Sequence, residues 1–148
     1  MLRLERCDLS HLPQMLELER GAFSDPWTEP MIVEELLSPR CYYLAAYESD
    51  AFIGYAGLSS VLDEGEIRNI AVKPQFRNRG VGFALLDALQ ARARELQLAM
   101  LTLEVRISND SAIALYSKFG FEQIGVRRGY YLNPLEDALI MLKQLTQT

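Results

Sequence analysis

The sequence predicts an α/β protein with one mixed, mostly antiparallel sheet and helices on both faces. Two observations support this prediction. Short segments rich in aromatic and β-branched residues follow one another with only turn residues between them, which is typical of antiparallel neighbours. Longer segments carry apolar residues at every third or fourth position, which is typical of amphipathic helices. The predicted order of elements is β α α β β β α β α β β.

Length and composition limit the class of protein. The 148 residues, 49% apolar and 24% charged, suffice for one globular domain spanning residues 1–148. No apolar run approaches the roughly 20 residues of a membrane helix, and the first ten residues do not resemble a signal peptide. We therefore expect a cytoplasmic protein that contacts no membrane. Cys7, Cys41 and the single His11 lack zinc-site or disulfide spacing, so we expect buried cysteines and no metal.

The first third of the chain predicts one strand and two helices. Residues 2–7 alternate between apolar and polar side chains and are predicted as a strand. Thr28 can cap a second helix over residues 29–37, because Pro30 suits an opening turn whose N–H has no partner. The residues at helical spacing in the first helix are Leu12, Met15, Leu16 and Glu19.

The middle of the chain predicts three antiparallel strands and a helix. Ser49 and Asp50 form the turn between the first two strands, and residues 63–65 form the next turn. Residues 80–96 carry a single apolar stripe and are predicted as a helix. The three strands cover residues 41–48, 51–62 and 66–72.

The last third predicts a strand, a helix and a final pair of strands. Residues 100–105 form the strand, and residues 109–119 form a helix that Gly120 can terminate. The final two strands are residues 121–127 and 137–145, and the loop between them is residues 129–136.

Charge is distributed unevenly along the chain. The net charge of −5 argues against nucleic-acid binding. Residues 1–66 hold 13 acidic and 4 basic side chains, whereas residues 67–148 hold 7 acidic and 11 basic ones. The two halves are therefore either ordinary solvated faces or surfaces for ligands of different charge.

A basic connection leads into the helix that begins at Gly80. A helix that opens on glycine exposes N–H groups without intrahelical partners, at the positive end of the helix dipole. Lys73, Arg77 and Arg79 add three positive charges, and no acidic residue occurs between positions 67 and 86. This combination predicts a phosphate site, and the number of charges favours a polyanion.

Two nucleotide-binding motifs fit this segment poorly. A P-loop needs Gly-Lys-Ser/Thr at the helix start, whereas Gly82 is followed by Phe83. A dinucleotide fold needs its glycines directly after the strand, whereas seven residues separate Val72 from Gly80. An ordinary helix that opens on glycine remains the alternative to a phosphate site.

Residues 77–82, Arg-Asn-Arg-Gly-Val-Gly, resemble the Arg/Gln-x-x-Gly-x-Gly/Ala signature of the GCN5-related N-acetyltransferases, the GNAT family. The preceding segment NIAVKPQF and the later segment LEVRISNDSAIALYSKFGF are also similar to this family. The likeness covers nearly the whole chain and is greatest to the RimI-type branch, which acetylates the amino-terminal alanine of a small-subunit ribosomal protein. It implies the GNAT fold, with splayed central strands, and acetyl-CoA as the acetyl donor.

The resemblance also implies which residues bind the coenzyme. Ile70 and Val72 would pair through their backbone with the pantetheine arm, as an added strand would. Asn109 matches a position that contacts CoA, although a role as helix cap would explain it equally. The residues of the pyrophosphate signature are Arg77, Asn78, Arg79, Gly80, Val81 and Gly82.

Glu104 is the candidate general base. The strand period places it on the same face as Thr102 and Arg106, away from the apolar face. The pattern alone is explained equally well by a solvated side chain. The matching position in RimI-type enzymes carries the base, so the resemblance favours the catalytic role. Glu66, on the neighbouring strand, is the second candidate.

Tyr116 is the candidate general acid. It shares a helix face with Ile113 and Phe119, and a core aromatic with its hydroxyl at the surface would explain this pattern as well. The resemblance implies that the tyrosine faces the thioester sulfur and protonates the departing thiolate.

The acceptor site is predicted at two loops. By resemblance, residues 23–29 and 129–137 flank the entrance for the amino terminus of a protein substrate. Trp27, Tyr130 and Tyr131 would wall this channel, although loop packing alone would also explain them. A lysine or a small-molecule amine remains an alternative acceptor, and a non-catalytic CoA-binding module remains an alternative function.

Overall fold

The computed structural model describes residues 1–145, and the predicted α/β class and order of elements are confirmed. Two short 3-10 turns, Leu9–His11 and Pro74–Phe76, occur besides the predicted elements. The strands are β1 (Leu2–Arg6), β2 (Cys41–Glu48), β3 (Ala51–Val61), β4 (Glu64–Val72), β5 (Met100–Arg106), β6 (Glu122–Tyr131) and β7 (Glu136–Gln144). The helices are α1 (Leu12–Ala22), α2 (Glu29–Leu37), α3 (Val81–Glu95) and α4 (Asp110–Lys118).

Two predicted connections are wrong in length. The turn before β4 consists of Leu62 and Asp63, because β4 already begins at Glu64. The last loop is shorter than predicted and covers residues 132–135. Gly129, the predicted start of that loop, instead lies inside β6 with φ +61°, where the register to β7 shifts. A glycine in a bulge has the same local signature as a glycine in a turn.

The sheet has the strand order β1-β2-β3-β4-β5-β7-β6, and all neighbours are antiparallel except β4 and β5. These two strands pair only at their beginnings, and their last pair is Glu66 with Thr102. Beyond this pair they separate, so the predicted splay is confirmed. Within residues 1–145, the later backbone of β4 therefore has no partner strand on its β5 side.

A β-bulge lies in β4 directly after the last pair. Ala56 of β3 faces Ile70, and Leu58 faces Ile67, so β4 has one extra residue at Arg68 and Asn69. A bulge bends its strand and changes the direction of the side chains that follow. The bend therefore coincides with the point at which β4 and β5 separate.

Two apolar clusters cover the two faces of the sheet, as predicted. Alternate residues of β2 enter different clusters, with Leu44 in the cluster of α3 and Tyr43 in the cluster of α1 and α2. Cys7 and Cys41 are buried free thiols in the second cluster, as expected. None of the helices within residues 1–145 combines the length and apolar character needed to cross a membrane.

Candidate active site

A cleft of about 560 Å³ lies where β4 and β5 separate. Its walls come from α1, the loop between α1 and α2, the ends of β4 and β5, the start of α4, and the connection between β6 and β7. Residues distant in the sequence thus meet in one cavity. The predicted site residues in its lining are Trp27, Ile70, Glu104, Asn109, Tyr116 and Tyr131.

Glu104 lies in the cleft on the polar face of β5, whose buried and half-buried residues alternate. Its side chain is only 16% exposed, and Oε2 lies 2.7 Å from Nε of Arg127 on β6. The angles of this ion pair are not those of a hydrogen bond, and Oε2 is buried with no hydrogen-bond partner among residues 1–145. The carboxylate is thus paired with a guanidinium from β6 while the residue lines the cleft.

Glu66, the second candidate base, is placed differently. Its carboxylate binds Nη1 of Arg68 at 2.6 Å, and it does not line the cleft. The strand patterns alone do not separate the two glutamates, because each lies on one of two neighbouring strands; only the resemblance favoured Glu104.

Tyr116 is buried in the apolar cluster of α3 and also lines the cleft. Its ring packs edge-on against Phe121, with 5.9 Å between the centroids. Burial raises the pKa of its hydroxyl above the ordinary value, and the nearby Tyr131 adds a smaller effect. The hydroxyl therefore keeps its proton at neutral pH.

The start of α3 presents unpartnered amides. The first intrahelical bond runs from the N–H of Ala84 to the carbonyl of Gly80, and no side chain among the described residues caps the helix. The preceding N–H groups are thus free to bind an anion. Gly80 has φ +81°, which favours glycine. A Cβ at position 82 would meet only Leu115 Cδ2 at 3.5 Å, so packing within the protein does not require glycine there.

The basic residues before α3 are placed beside these amides in the chain. Nε of Arg77 donates to the carbonyl of Val72 at 3.1 Å, and the Arg79 guanidinium lies 5.4 Å from the ring centroid of Phe76. Asn78 has φ +62°, and the Val81 side chain is buried in the core, so only its backbone can face a ligand.

Asn109 is the N-cap of α4, as predicted. Its Oδ1 accepts from the N–H of Ala112 at 3.3 Å and from the hydroxyl of Ser111 at 3.4 Å. The side chain also lines the cleft. Capping accounts for Oδ1 and leaves the amide nitrogen for a ligand.

Arg106 joins the two predicted acceptor loops, a role that the sequence did not reveal. Nη2 donates to the carbonyl of Leu132 at 2.7 Å and to Oγ of Ser24 at 3.4 Å. Across the same gap, Nδ2 of Asn133 donates to Oδ1 of Asp25 at 3.2 Å. The loops on either side of the cleft are therefore in direct contact.

The aromatic residues of these loops differ in whether they line the cleft. Trp27 and Tyr131 line the cleft, whereas Tyr130 is 46% exposed and packs edge-on against Tyr131 at 5.0 Å. The pKa of Tyr131 is raised to about 12, first by burial and then by Tyr130 and Glu104. Both tyrosines therefore stay protonated at neutral pH.

The fold and the cleft define an acetyltransferase. The model of the Acetyltransferase (GNAT) family matches residues 12–121, and the chain belongs to this family. N-alpha-acetyltransferase RimI of Mycobacterium tuberculosis is 39% identical over 131 residues, which cover 84% of this chain and 81% of that protein. The [ribosomal protein bS18]-alanine N-acetyltransferase of Escherichia coli K12 is 34% identical over 143 residues, covering 95% and 96%.

A solved structure agrees with these relatives. The crystal structure of the ribosomal-protein-S18-alanine N-acetyltransferase from Escherichia coli matches with a TM-score of 0.93 and 33% identity, covering 100% of this chain and 96% of that one. The resemblance to RimI-type enzymes is therefore confirmed over nearly the whole chain.

Proposed function

We propose that this chain, as one domain, transfers the acetyl group of acetyl-CoA to the amino-terminal alanine of ribosomal protein S18. The observation that carries the proposal is the meeting of Glu104 and Tyr116 in one cleft at the splay of β4 and β5. The names of the relatives support the acceptor. The contact between the two acceptor loops supports a defined entrance for an extended peptide.

The acceptor amine must be neutral before it attacks. An α-amine with a pKa of about 8 is about 10% neutral at pH 7, whereas a lysine with a pKa of about 10.4 is neutral at only about 0.04%. The free-energy cost of deprotonation is therefore about 1.4 kcal/mol for the α-amine and about 4.6 kcal/mol for lysine. One carboxylate is sufficient for the smaller demand.

Glu104 accepts this proton, directly or through one water molecule. The amine nitrogen then bonds to the carbonyl carbon of the thioester, and the carbon–sulfur bond breaks with its electron pair on sulfur. The position of Glu104 in the lining of the cleft supports this role. Arg127 of β6 holds the carboxylate in place through the ion pair at 2.7 Å.

Tyr116 gives its proton to the departing thiolate. A free thiol has a pKa of about 8.5, and the pKa of Tyr116 is raised by burial, so transfer proceeds together with bond cleavage rather than before it. The nitrogen loses its second proton as the amide forms. This proton restores the Tyr116 hydroxyl, and Glu104 releases the first proton to solvent.

The groups that would hold acetyl-CoA belong to β4, α3 and the start of α4. Ile70 and Asn109 line the cleft, whereas Val72 and the start of α3 are outside its lining. The unpartnered amides at the start of α3 suit the pyrophosphate, and the open backbone of β4 at Ile70 and Val72 suits the amide groups of pantetheine. The Asn109 amide nitrogen adds one donor.

Gly82→Asp is expected to lower the affinity for CoA about tenfold or more. The new carboxylate stands where the pyrophosphate would bind, so repulsion adds to loss of space. Isothermal titration with CoA measures the effect. The fold should persist, because the added Cβ makes only an ordinary contact with Leu115. Gly21→Asp is the matched control, since that glycine faces open space on α1, and its CoA affinity should equal that of wild type. Equal CoA affinity of Gly82→Asp and wild type would contradict a pyrophosphate site at the start of α3.

A peptide panel tests the function as a whole. The S18 amino-terminal peptide, the same peptide with a blocked α-amine and an internal lysine, and a polyamine are incubated with acetyl-CoA. Mass spectrometry then identifies the nitrogen that gains the acetyl group. We expect acetylation of the free α-amine. Acetylation of only the lysine or the polyamine would contradict the proposed acceptor. CoA binding without turnover of any acceptor would indicate a binding module.

A further inference from the structure

Glu19 of α1 is a buried carboxylate that the proposed mechanism does not use. Its side chain is 0% exposed. Its three hydrogen-bond donors within residues 1–145 are all uncharged. Burying a carboxylate is costly unless several hydrogen bonds compensate for lost water. An apolar residue would fill the same place in the core without this cost, so a function of the carboxylate itself must be considered.

The three donors come from three separate elements. Oε1 accepts from the backbone N–H of Trp27 at 2.9 Å, in the loop between α1 and α2. Oε2 accepts from Nδ2 of Asn69 at 2.9 Å and from the hydroxyl of Tyr55 on β3. One side chain thus links the acceptor loop to the middle of the sheet.

Two of these donors belong to the walls of the cleft. Trp27 and Asn69 both line it, and Asn69 lies in the β4 bulge. The guanidinium of Arg68, the other bulge residue, lies 5.4 Å from the Trp27 ring centroid and binds Glu35 of α2 at 2.9 Å. The Trp27 wall is therefore fixed against the bulge from two sides.

We infer that Glu19 is a positioning residue that sets the width of the cleft between the Trp27 loop and the β4 bulge. It does so by holding the Trp27 backbone at a defined distance from the β4 bulge. The position requires two acceptor oxygens, because Trp27 and Asn69 each present a donor to a different oxygen. Glutamine offers only one oxygen, so one of these two links is lost or must rearrange. The inference rests on the proposed function for the identity of the acceptor.

The test compares Glu19→Gln with Tyr55→Phe. Tyr55→Phe removes a hydrogen bond from the same carboxylate but leaves the links to Trp27 and Asn69. Glu19→Gln is expected to raise the KM for the S18 peptide about tenfold, with kcat within about threefold and CoA affinity unchanged. Tyr55→Phe is expected to keep the wild-type KM for the S18 peptide, even if its melting temperature falls as much as that of Glu19→Gln. A KM that follows stability in both variants, or a KM of Glu19→Gln equal to wild type, would overturn the inference.

A second readout needs no activity. Trp27 is the single tryptophan of the chain, so its fluorescence reports the acceptor wall alone. Glu19→Gln is expected to shift its emission and increase quenching by acrylamide, whereas Tyr55→Phe is not. If wild type acetylates no peptide, the proposed function fails while this readout still decides the positioning role. If Glu19→Gln does not fold, Asn69→Ala, which cuts only the link to the bulge, must raise the KM or the inference is wrong.

Discussion

Glu104→Gln is expected to lower kcat/KM for peptide acetylation by 10² to 10⁴, the usual range for loss of an acid or base group. Glutamine keeps the shape of the side chain but cannot accept the proton of the ammonium group. CoA affinity should remain unchanged, because Glu104 is not among the proposed coenzyme contacts, which lie on β4, at the start of α3 and at Asn109. Steady-state rates with the S18 peptide, together with calorimetry of CoA binding, measure both quantities.

The dependence on pH separates a lost base from a damaged site. Raising the pH from 7 to 9 increases the neutral fraction of the α-amine, so the rate of Glu104→Gln should approach that of wild type. A merely misshapen cleft would show no such recovery.

Two further glutamates serve as comparisons for Glu104. Glu64→Gln, at the exposed start of β4, should behave as wild type. Full activity of Glu104→Gln at pH 7 combined with a loss in Glu66→Gln would transfer the base role to Glu66.

Tyr116→Phe is expected to lower kcat about 10²-fold or more, with little change in CoA binding. The variant keeps the aromatic ring and its contact with Phe121 and deletes one hydroxyl. If Tyr116 were only a core residue, the rate would be nearly unchanged. Single-turnover rates with acetyl-CoA measure the effect.

A thioester with a more acidic thiol tests the role of the proton. Its thiolate leaves with less help, so the difference between Tyr116→Phe and wild type should become smaller with this donor. Tyr47→Phe, which removes a hydroxyl outside the cleft, is the control for general effects of losing a phenol. An equal loss with both donors, or full kcat with acetyl-CoA, would return Tyr116 to a purely structural role.

The elements that were predicted correctly depend on local signals. Thr28 caps α2 through its hydroxyl, and β2 has the predicted bounds, because capping and strand alternation involve residues close in the chain. The prediction that Gly129 begins a loop is wrong because it also used only local signals. Whether a glycine belongs to a turn or a bulge depends on the partner strand, and the pairing of β6 with β7 is not a local property.

The site was predicted in part. Glu104, Tyr116 and Asn109 were recognised from motifs that resemble a family, and all three line the cleft. The same motifs contained no signal for Arg106 or Glu19 as links between elements. Arg106 bonds to Ser24, and Glu19 bonds to Asn69, across 82 and 50 positions of the chain.

The sequence by itself determined the order of the elements, the helix that opens on two glycines and the family. These properties follow from periodicity, capping and short motifs, each of which acts within about one helical turn or one strand. Only the tertiary structure decided where β4 and β5 separate, which glutamate faces the cleft and how the two acceptor loops are held. The physical reason is that strand register, burial and hydrogen bonds between distant elements depend on the packing of the whole chain, because no short segment contains both partners of such a contact.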